Sequence, residues 1–373
     1  MAFRHDTVNL EFDKDPHEPD DDEKIRDDLS AVVQTGENLW LGTDEGVSLE
    51  RLSANDDGAY GNHRRFDLRK FVDLPKDDDQ EEVDVEGLDV SGNYLWLVGS
   101  HSMKRKNPKS DKDAKDNLER LADVSRDPNR YLLARIPVLW DENDGEYELV
   151  KSGPDPKDPT ERLAAAQLPA TDKGNALSDA LRDDPHVGPF VKIASKDNGL
   201  DVEGLAASKS RLFVGLRGPV LRGWAIVLEL EIKDGGDGSL ELKRIGTGGR
   251  PYRKHFLGLN GLGVRDLTID GPDLLILAGP TMDLDGPVAV FRWPDGANRA
   301  EDRKQDSMVW AKDLNRILDV PFGERTDHAE GMTILRNSRG GTTLLIVHDS
   351  PGKKRQRGAY GTAADLFRSG AGG

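Results

Sequence analysis

Cysteine is missing from all 373 residues of the chain. Disulfide bonds, thiolate nucleophiles and cysteine-ligated zinc or iron–sulfur sites are therefore excluded. Long apolar runs are missing too, because no segment approaches the roughly 18 consecutive apolar residues of a membrane-spanning helix. The N-terminal segment lacks the apolar core of a secretory signal peptide. These absences fit a reducing environment, so we expect a cytoplasmic location and no membrane partner.

Basic residues are fewer than acidic residues. Lys and Arg total 52 against 69 Asp and Glu, and the formal net charge is −17. A nucleic-acid-binding face needs an excess of positive charge, so we expect no nucleic-acid partner. Aromatic residues make up only 6% of the chain, yet short apolar runs at 95–99, 274–279 and 342–348 can bury a core. The composition therefore indicates a folded, loop-rich protein.

The most informative feature present is an internal repeat. Each copy begins with a five-residue segment that ends on an apolar residue, which we call the opener, and continues through a turn into a second apolar run. The copies occupy residues 28–42, 84–98, 201–215, 263–277 and 328–347. The spacing between opener and second run is the same in all copies but the last. Each copy is therefore predicted to be a strand, a tight turn and a second strand.

Further strands are predicted after the openers. They are 130–140 with 147–152, 225–232 with 240–245, and 288–293 with 307–314. Four strands per unit, repeated around an axis, predict an all-β fold, a β-propeller of about five blades with six as an alternative. A two-sheet sandwich is the rival fold, but it does not require the same opener in every unit.

The longest interval between openers lies between the second and the third. Residues 112–126, 159–168 and 175–184 combine helix-forming residues with apolar residues at helical spacing, which predicts helices. We therefore predict inserted loop or helical segments over 103–129 and 153–190.

The rest of the chain is assigned to one propeller domain over 1–373, with a flexible tail at 369–373. Residues 8–13 form a predicted strand without a unit of its own. An N-terminal strand of this kind would complete the last blade and remove its exposed edge.

Polar residues occupy the openers, where the inner strands of a propeller meet at the axis. The central opener positions hold Ser30, Glu86, Glu203, Arg265 and Glu330. The positions two residues earlier hold Asp28, Asp84, Asp201, Gly263 and His328. Carboxylates that converge on one axis repel one another unless a positive charge offsets them.

A bound divalent cation would supply that charge, and Ca²⁺ prefers carboxylate, carbonyl and water oxygens. The predicted metal ligands are Glu86, Glu203, Glu330, Asp84 and Asp201. Two alternatives stay open at this point. The Glu side chains could accept hydrogen bonds around a water-filled channel, or they could act directly in catalysis.

An arginine-containing segment, GLRGPVLRGW, spans residues 215–224 after a predicted second strand. Guanidinium groups bind carboxylate or phosphate through two hydrogen bonds, and Gly and Pro indicate a fixed turn. We predict that Arg217 reaches the axial pocket, and that Arg222, Arg265 and His101 complete a ligand-binding set. Ion pairing with the local acidic surface is the alternative for Arg217 and Arg222.

Histidines at repeat positions are the candidates for acid–base chemistry. His348 adjoins Asp349, and His328 lies in an opener, so the catalytic candidates are His348, Asp349 and His328. Adjacency in sequence does not orient a catalytic triad, and no GxSxG, P-loop, HExxH or GxGxxG motif is present.

Several segments together resemble a known family. With DVEGL, HSMKRK, DNGLDVEGL, GLRGPVLRGWA and DHAEGM, the chain resembles the bacterial domain-of-unknown-function 3616 family over about residues 20–367. The repeated EGL opener is also distantly similar to phytase-like and esterase-like propellers, whose acidic residues hold calcium. That second resemblance implies a metal or axial role for Glu86, Glu203 and Glu330. Ser30 and Arg265 depart from an all-acidic pattern.

Two functions are compatible with these observations. The first is a propeller that binds a small anionic ligand or a protein partner at an axial site lined by Glu and Arg, with calcium as the expected cofactor. The alternative is a metal-dependent hydrolase of phosphate esters or other anionic esters, in which the metal activates water.

Overall fold

The computed structural model describes residues 3–14, 24–76, 82–282, 284–298, 305–336 and 342–369. Its strands pair mainly antiparallel, and each repeat copy supplies the first two strands of one antiparallel group, which is called a sheet below. Single parallel pairs, Leu10 with Tyr60 and Gln167 with Ser239, join neighbouring sheets. The opener strands lie side by side, and the last contacts the first, so that they close a ring around one axis. The predicted β-propeller is confirmed.

The N-terminal half of the chain supplies the first two sheets. The first strand, β1 (Phe3–Leu10), precedes the first sheet, which contains β2 (Leu29–Thr35), β3 (Asn38–Thr43), β4 (Ser48–Ala54) and β5 (Tyr60–Asp67). The second sheet contains β6 (Val85–Ser91), β7 (Tyr94–Gly99), β10 (Leu133–Asp141) and β11 (Glu146–Leu149). Between β7 and β10 the chain forms β8 (Met103–Arg105), α1 (Ala114–Ala122) and β9 (Val124–Arg126).

An inserted region of short elements separates the second and third sheets. It contains β12 (Ser152–Pro154), β13 (Arg162–Ala164), β14 (Ala166–Gln167), β15 (Ala170–Thr171), β16 (Gly174–Asn175) and α2 (Ala176–Arg182). Short 3-10 helices elsewhere span Ile25–Asp27, Leu68–Lys70, Pro128–Tyr131, Gly188–Phe190, Thr247–Gly249 and Ala311–Asp313. None of the described helices is long and apolar enough to cross a membrane.

The C-terminal half supplies the remaining sheets. The third contains β17 (Asp201–Ser208), β18 (Arg211–Leu221), β19 (Trp224–Gly236) and, after β20 (Ser239–Leu242), β21 (Tyr252–Leu257). The fourth contains β22 (Gly263–Asp270), β23 (Asp273–Gly279), β24 (Val288–Trp293) and, after β25 (Ser307–Val309), β26 (Asn315–Val320). The fifth contains β27 (His328–Arg336), β28 (Thr342–Asp349) and, after β29 (Gln356–Arg357), β30 (Gly361–Ser369).

The N-terminal strand closes the ring. β1 pairs antiparallel with β30 along its whole length, from Phe3 opposite Ser369 to Leu10 opposite Thr362. It is therefore the outer strand of the fifth sheet. The sequence predicted that a strand at 8–13 completes the last blade, and the observed strand begins earlier, at Phe3. The predicted tail lies outside the described residues from position 370 onward.

Several predicted elements are corrected by the structure. Residues 159–168 contain β13 and β14 rather than a helix, because β14 pairs with β10 and this pairing overrides the helix propensity of the alanines. The helices predicted at 112–126 and 175–184 are α1 and α2. The predicted strand at 240–245 is present in part as β20, which pairs with the C-terminal end of β19, but β21 is the strand that pairs with β19 over Ala225–Leu230. β25 joins β21 instead of the fourth sheet.

The opener glycines allow the inner strands to pack closely. A Cβ at Gly87 would lie 2.7 Å from Leu205 Cβ, and one at Gly331 would lie 2.9 Å from Ala31 Cα. In the fourth sheet Asp266 takes the equivalent position, and its carboxylate accepts the backbone N–H of Met332 at 2.6 Å. At Gly87 and Gly331 the repeated EGL sequence therefore reflects close contact between neighbouring inner strands, because an added Cβ would clash there.

Gly87→Ala is expected to lower the free energy of unfolding by about 1–3 kcal/mol, because the added methyl group overpacks against β17. The backbone N of Leu205 would also lie within 2.9 Å of the new Cβ. Gly61→Ala is the matched control: it is also a strand glycine, but its Cβ would be 3.5 Å from the nearest atom, an ordinary contact. Urea unfolding of both variants measures the difference, and equal effects would contradict the close-packing interpretation.

Candidate axial site

A β-bulge lies at the centre of each opener. In the pairing of β2 with β3, Leu29 lies opposite Thr43 and Ala31 opposite Gly42, so Ser30 is the extra residue. The same register shift leaves the central residue of the other openers unpaired, namely Glu86, Glu203, Arg265 and Glu330. A bulge bends the strand and redirects the side chain of the extra residue. The shared bulge therefore brings the central opener residues to the axis.

Two buried arginines connect the acidic side chains at the axis. Arg217 on β18 lies 2.5 Å from Asp201 Oδ2 and 2.8 Å from Glu203 Oε1. Arg265 on β22 donates from one nitrogen to Glu203 Oε2 at 2.9 Å and to Glu330 Oε1 at 2.8 Å. Glu203 thus joins both guanidinium groups. Charge-assisted contacts of this kind offset part of the cost of burying these charges, although the buried Nε of each arginine has no hydrogen-bond partner among the described residues.

A third buried arginine lies on the side of the second sheet. Arg130, which follows the α1 insertion, pairs with Asp84 Oδ2 at 2.9 Å and with Ser102 Oγ at 3.1 Å. In the first sheet Ser30 donates to the Val85 carbonyl oxygen at 2.5 Å.

Glu86 differs from its neighbours because it has no partner. Its residue is only 7% exposed, yet within the described part of the chain it makes no hydrogen bond or ion pair. Oxygens of Glu86, Asp201 and Glu203 lie within 4.8 Å of one another, so the side chain belongs to a buried carboxylate cluster. A carboxylate that is buried without a donor is costly unless it is protonated or bound to a cation.

A second carboxylate cluster lies beside the first and is more open. Oxygens of Asp44, Glu330 and Asp349 also lie within 4.8 Å of one another, with Asp44 and Asp349 half-buried. Asp44 Oδ1 is buried and has no hydrogen-bond partner among the described residues. His328 Nδ1 lies 3.7 Å from Asp349 Oδ2, at the same side of the site.

The carboxylates outnumber the guanidinium groups that face them. Burial, followed by repulsion from Asp84, Asp44, Glu203 and Asp201, raises the pKa of Glu86 well above its ordinary value. Burial also raises the pKa of Asp201 to about 7, although Arg217 opposes the shift. The axial site therefore carries uncompensated negative charge when its carboxylates are ionised.

Comparison with known proteins identifies the family of this chain. The family described as "Protein of unknown function (DUF3616)" matches residues 28–365, which is most of the chain and includes every opener. The chain belongs to this DUF3616 family. A comparison with curated proteins gives no match.

Solved structures similar to this DUF3616 protein are remote from it in sequence. A putative 6-phosphogluconolactonase from Bacteroides fragilis has 13% identity over 84% of this chain and 61% of that chain, with a TM-score of 0.31. This chain therefore spans less than two thirds of that protein. An exo-1,5-α-L-arabinanase from a bovine ruminal metagenomic library has 8% identity over 92% and 94% of the two chains, with a TM-score of 0.37. The PQQ-bound aldose sugar dehydrogenase from Streptomyces coelicolor has 10% identity over 98% and 99%, also with a TM-score of 0.37.

The structure separates the arginines that were predicted to bind a ligand. Arg217 and Arg265 lie at the axis as predicted. Arg222 does not, because β18 continues through residues 215–221 and the turn lies at Arg222 and Gly223, which have φ values of 51° and 91°. This two-residue turn leaves Arg222 exposed at the tip of the β18–β19 hairpin. The interpretation of the whole segment as one turn was wrong.

His101 has a structural role rather than the predicted ligand-binding one. Its ring is 2% exposed, with Nδ1 2.8 Å from the Gly99 carbonyl and Nε2 2.9 Å from Asn175 Nδ2. Burial lowers its pKa to about 4, so the ring is neutral and both nitrogens are engaged. Asn175 caps α2, and His101 therefore anchors the inserted helix to the second sheet.

The catalytic candidates have different surroundings. His348 is buried, with Nε2 3.0 Å from Asp365 Oδ2 and Nδ1 3.2 Å from the Asp327 carbonyl, so its ring holds strands of the fifth sheet together. Burial favours a higher pKa for Asp365, but hydrogen bonds from His348 and Arg355 outweigh it and lower that pKa. His328 and Asp349, by contrast, lie at the open carboxylate cluster.

Sequence reasoning missed one residue of the site. Arg130 follows an insertion and occupies no repeat position, so nothing local connects it with Asp84. Asp44 lies just beyond the first repeat copy, directly after β3, in one of the loops after second strands that are expected near the mouth of the ring.

Proposed function

We propose that the axial site of this DUF3616 propeller binds a divalent cation of the Ca²⁺ type and, through that cation, a small anionic ligand. The ligands of the cation would come from Glu86, Asp201 and Glu203, with Asp44, Glu330 and Asp349 on the open side. Carboxylate oxygens are the donors that Ca²⁺ prefers, and the donor set fits this ion. A bound cation would supply positive charge for an anion at the open side.

The observation that carries this proposal is the unpartnered Glu86. Arginines neutralise Asp201, Glu203 and Glu330, whereas Glu86 is buried within 4.8 Å of two of these carboxylates and accepts no described hydrogen bond. A cation removes the repulsion and the desolvation cost in one step. Protonation of Glu86 is the competing explanation.

The arginines of the site are already paired with carboxylates, which indicates that the cation binds before the anion. Arg217 and Arg265 each hold two carboxylates, so an anion that approaches them without a cation meets excess negative charge. A cation bound between the carboxylates reverses that local potential. We therefore expect phosphate or a carboxylate to bind only after the cation.

Ester hydrolysis is the second candidate function, and His328 is the residue that favours it. It is half-buried beside Asp349 and Asp285, at the side of the site where a ligand would enter. A half-buried imidazole near a cation can act as a general base toward water. Release of phosphate from a phosphate monoester in the presence of Ca²⁺, absent in His328→Gln, would support this function over binding alone.

Glu86→Gln is the test of the cation site. In wild type, Ca²⁺ should bind with measurable heat and raise the melting temperature, since a ligand of the folded state stabilises it. The variant should bind Ca²⁺ at least tenfold more weakly, which corresponds to about 1.4 kcal/mol. In chelator it should be as stable as wild type or more so, because one repelling charge is gone.

Glu119→Gln on the exposed face of α1 is the control, with its side chain 70% exposed, and should not change Ca²⁺ binding. Absence of Ca²⁺ binding to wild type, together with a more stable Glu86→Gln protein, would leave Glu86 as a protonated structural residue. Titration of phosphate into calcium-loaded and calcium-free protein then tests the second step.

A further inference from the structure

The other end of the propeller axis contains a separate cavity. Its volume is about 380 Å³, within the range of small-molecule sites. It is lined by residues that lie three to six positions after the central opener residues, namely Val33, Gln34, Gly36, Asp89, Val90, Thr268, Ile269, Thr333, Ile334 and Arg336. A strand advances about 3.3 Å per residue, so this cavity begins about 10 Å from the carboxylates of the axial site.

Two threonines of the cavity have buried side chains without partners. Thr268 is 8% exposed and Thr333 is 4% exposed, and neither hydroxyl makes a hydrogen bond to the described residues. A hydroxyl can donate one hydrogen bond and accept others. Buried polar groups are normally hydrogen-bonded, so these hydroxyls are available to water or to a bound molecule.

Opposite charges line the same cavity without forming an ion pair. Asp89 accepts the backbone N–H of Val90 at 2.8 Å and that of Ala207 at 2.6 Å, one on each oxygen. Each oxygen keeps a further acceptor position. Arg336, an exposed residue, also lines the cavity, and no ion pair between it and Asp89 is found among the described residues. Its backbone N–H is held by Gln34 Oε1 at 2.7 Å, which fixes the strand that carries it.

We propose that this cavity binds a small zwitterion of the free α-amino acid type. The ammonium group would lie against Asp89 and the threonine hydroxyls, and the carboxylate would face Arg336. The side chain would contact the apolar walls formed by Val33, Ile269 and Ile334. A molecule with both charges bridges two groups that the protein leaves apart, and charge-assisted hydrogen bonds favour it over a neutral molecule.

A polyol is the closest competitor, because hydroxyls and a carboxylate also suit sugars. It leaves Arg336 without a role, however, and Arg336 is the group that points to an anion in the ligand. The proposal does not depend on the axial cation, since none of the lining residues belongs to either carboxylate cluster.

The test is calorimetry and thermal unfolding of the full chain with a panel of free α-amino acids at millimolar concentration. Each is compared with its amide, which lacks the carboxylate, and with its N-acetyl derivative, which lacks the ammonium group. At least one amino acid should bind, and both derivatives should bind at least about tenfold more weakly, a loss of about 1.4 kcal/mol for each lost charge contact. The result should be the same with Ca²⁺ and with chelator.

Arg336→Gln should remove the preference for the acid over its amide, and Thr333→Val should weaken binding with little change in stability. Arg368→Gln on β30 is the matched control, because Arg368 is an exposed arginine of the same sheet outside the cavity. The proposal is overturned if no amino acid binds, if the derivatives bind as well as the acids, or if glucose binds while amino acids do not.

Discussion

Arg217→Met should lower the free energy of unfolding by about 3–5 kcal/mol, which is the usual cost of removing one partner from a buried ion pair. Arg217 is 6% exposed and neutralises Asp201 and Glu203 together. Without it these carboxylates remain buried beside Glu86, with Glu203 still paired to Arg265 and Asp201 left without an ion pair among the described residues. The desolvation cost of the unpaired charges, rather than the lost contact itself, accounts for most of the expected effect.

The same hairpin provides the control for this prediction. Arg222→Met makes the identical change at the exposed hairpin tip, where no ion pair of the arginine is seen in the described residues, and should alter stability by less than about 0.5 kcal/mol. Both variants are unfolded in urea with a chelator present, so that a bound cation does not offset the missing guanidinium. Similar losses in the two variants would show that Arg217 is not the counter-ion of the axial carboxylates.

Lys254→Met is expected to have a comparable effect, about 3–5 kcal/mol, at a different site. Lys254 on β21 is completely buried, and its Nζ lies 2.6 Å from Asp184 Oδ2 and 2.9 Å from His186 Nδ1. Tyr252 donates to the same Asp184 oxygen at 2.8 Å. This network fastens the segment after α2 to the outer strand of the third sheet, so its loss should loosen the insertion.

Two further variants identify the cause of that effect. Lys233→Met removes an exposed lysine that lies 2.6 Å from Glu241, and surface pairs of this kind contribute about 0–1 kcal/mol. Adding Asp184→Asn to Lys254→Met should restore part of the stability, since the amide no longer carries a buried charge. No recovery in the double variant would mean that the loss comes from packing rather than from charge.

The contacts of Asp184 with Lys254 and Tyr252 should make the protein less stable at low pH. Burial favours a higher pKa for Asp184, but hydrogen bonds from Lys254, the His186 backbone and Tyr252 outweigh it and lower that pKa. The pKa in the unfolded chain is about 3.9, so the contribution of Asp184 is fully present above that pH and is lost as the pH falls through the lower folded value. In Lys254→Met, unfolding below about pH 4 should therefore depend less steeply on pH.

The sequence alone determined the fold and the identity of the central residues. A repeated opener, followed by a turn and a second apolar run, predicted the same position at the axis for Glu86, Glu203 and Glu330, because the inner strands of a propeller meet there. The N-terminal strand without a unit predicted the closure by β1 for a similar reason, since an edge strand needs a partner. These conclusions depend on local periodicity and repetition, which are properties of the chain itself.

The tertiary structure decided which partner each ionisable side chain of the repeat has and whether that side chain is buried. Asp84 finds Arg130 across an insertion, whereas Glu86, only two residues from Asp84, finds no partner in the described chain. His101 and His348 occupy repeat positions like His328, yet both are buried in structural hydrogen bonds. Charge compensation acts through space between residues that are distant in sequence, so the repeat could place these side chains near the axis but could not assign their partners.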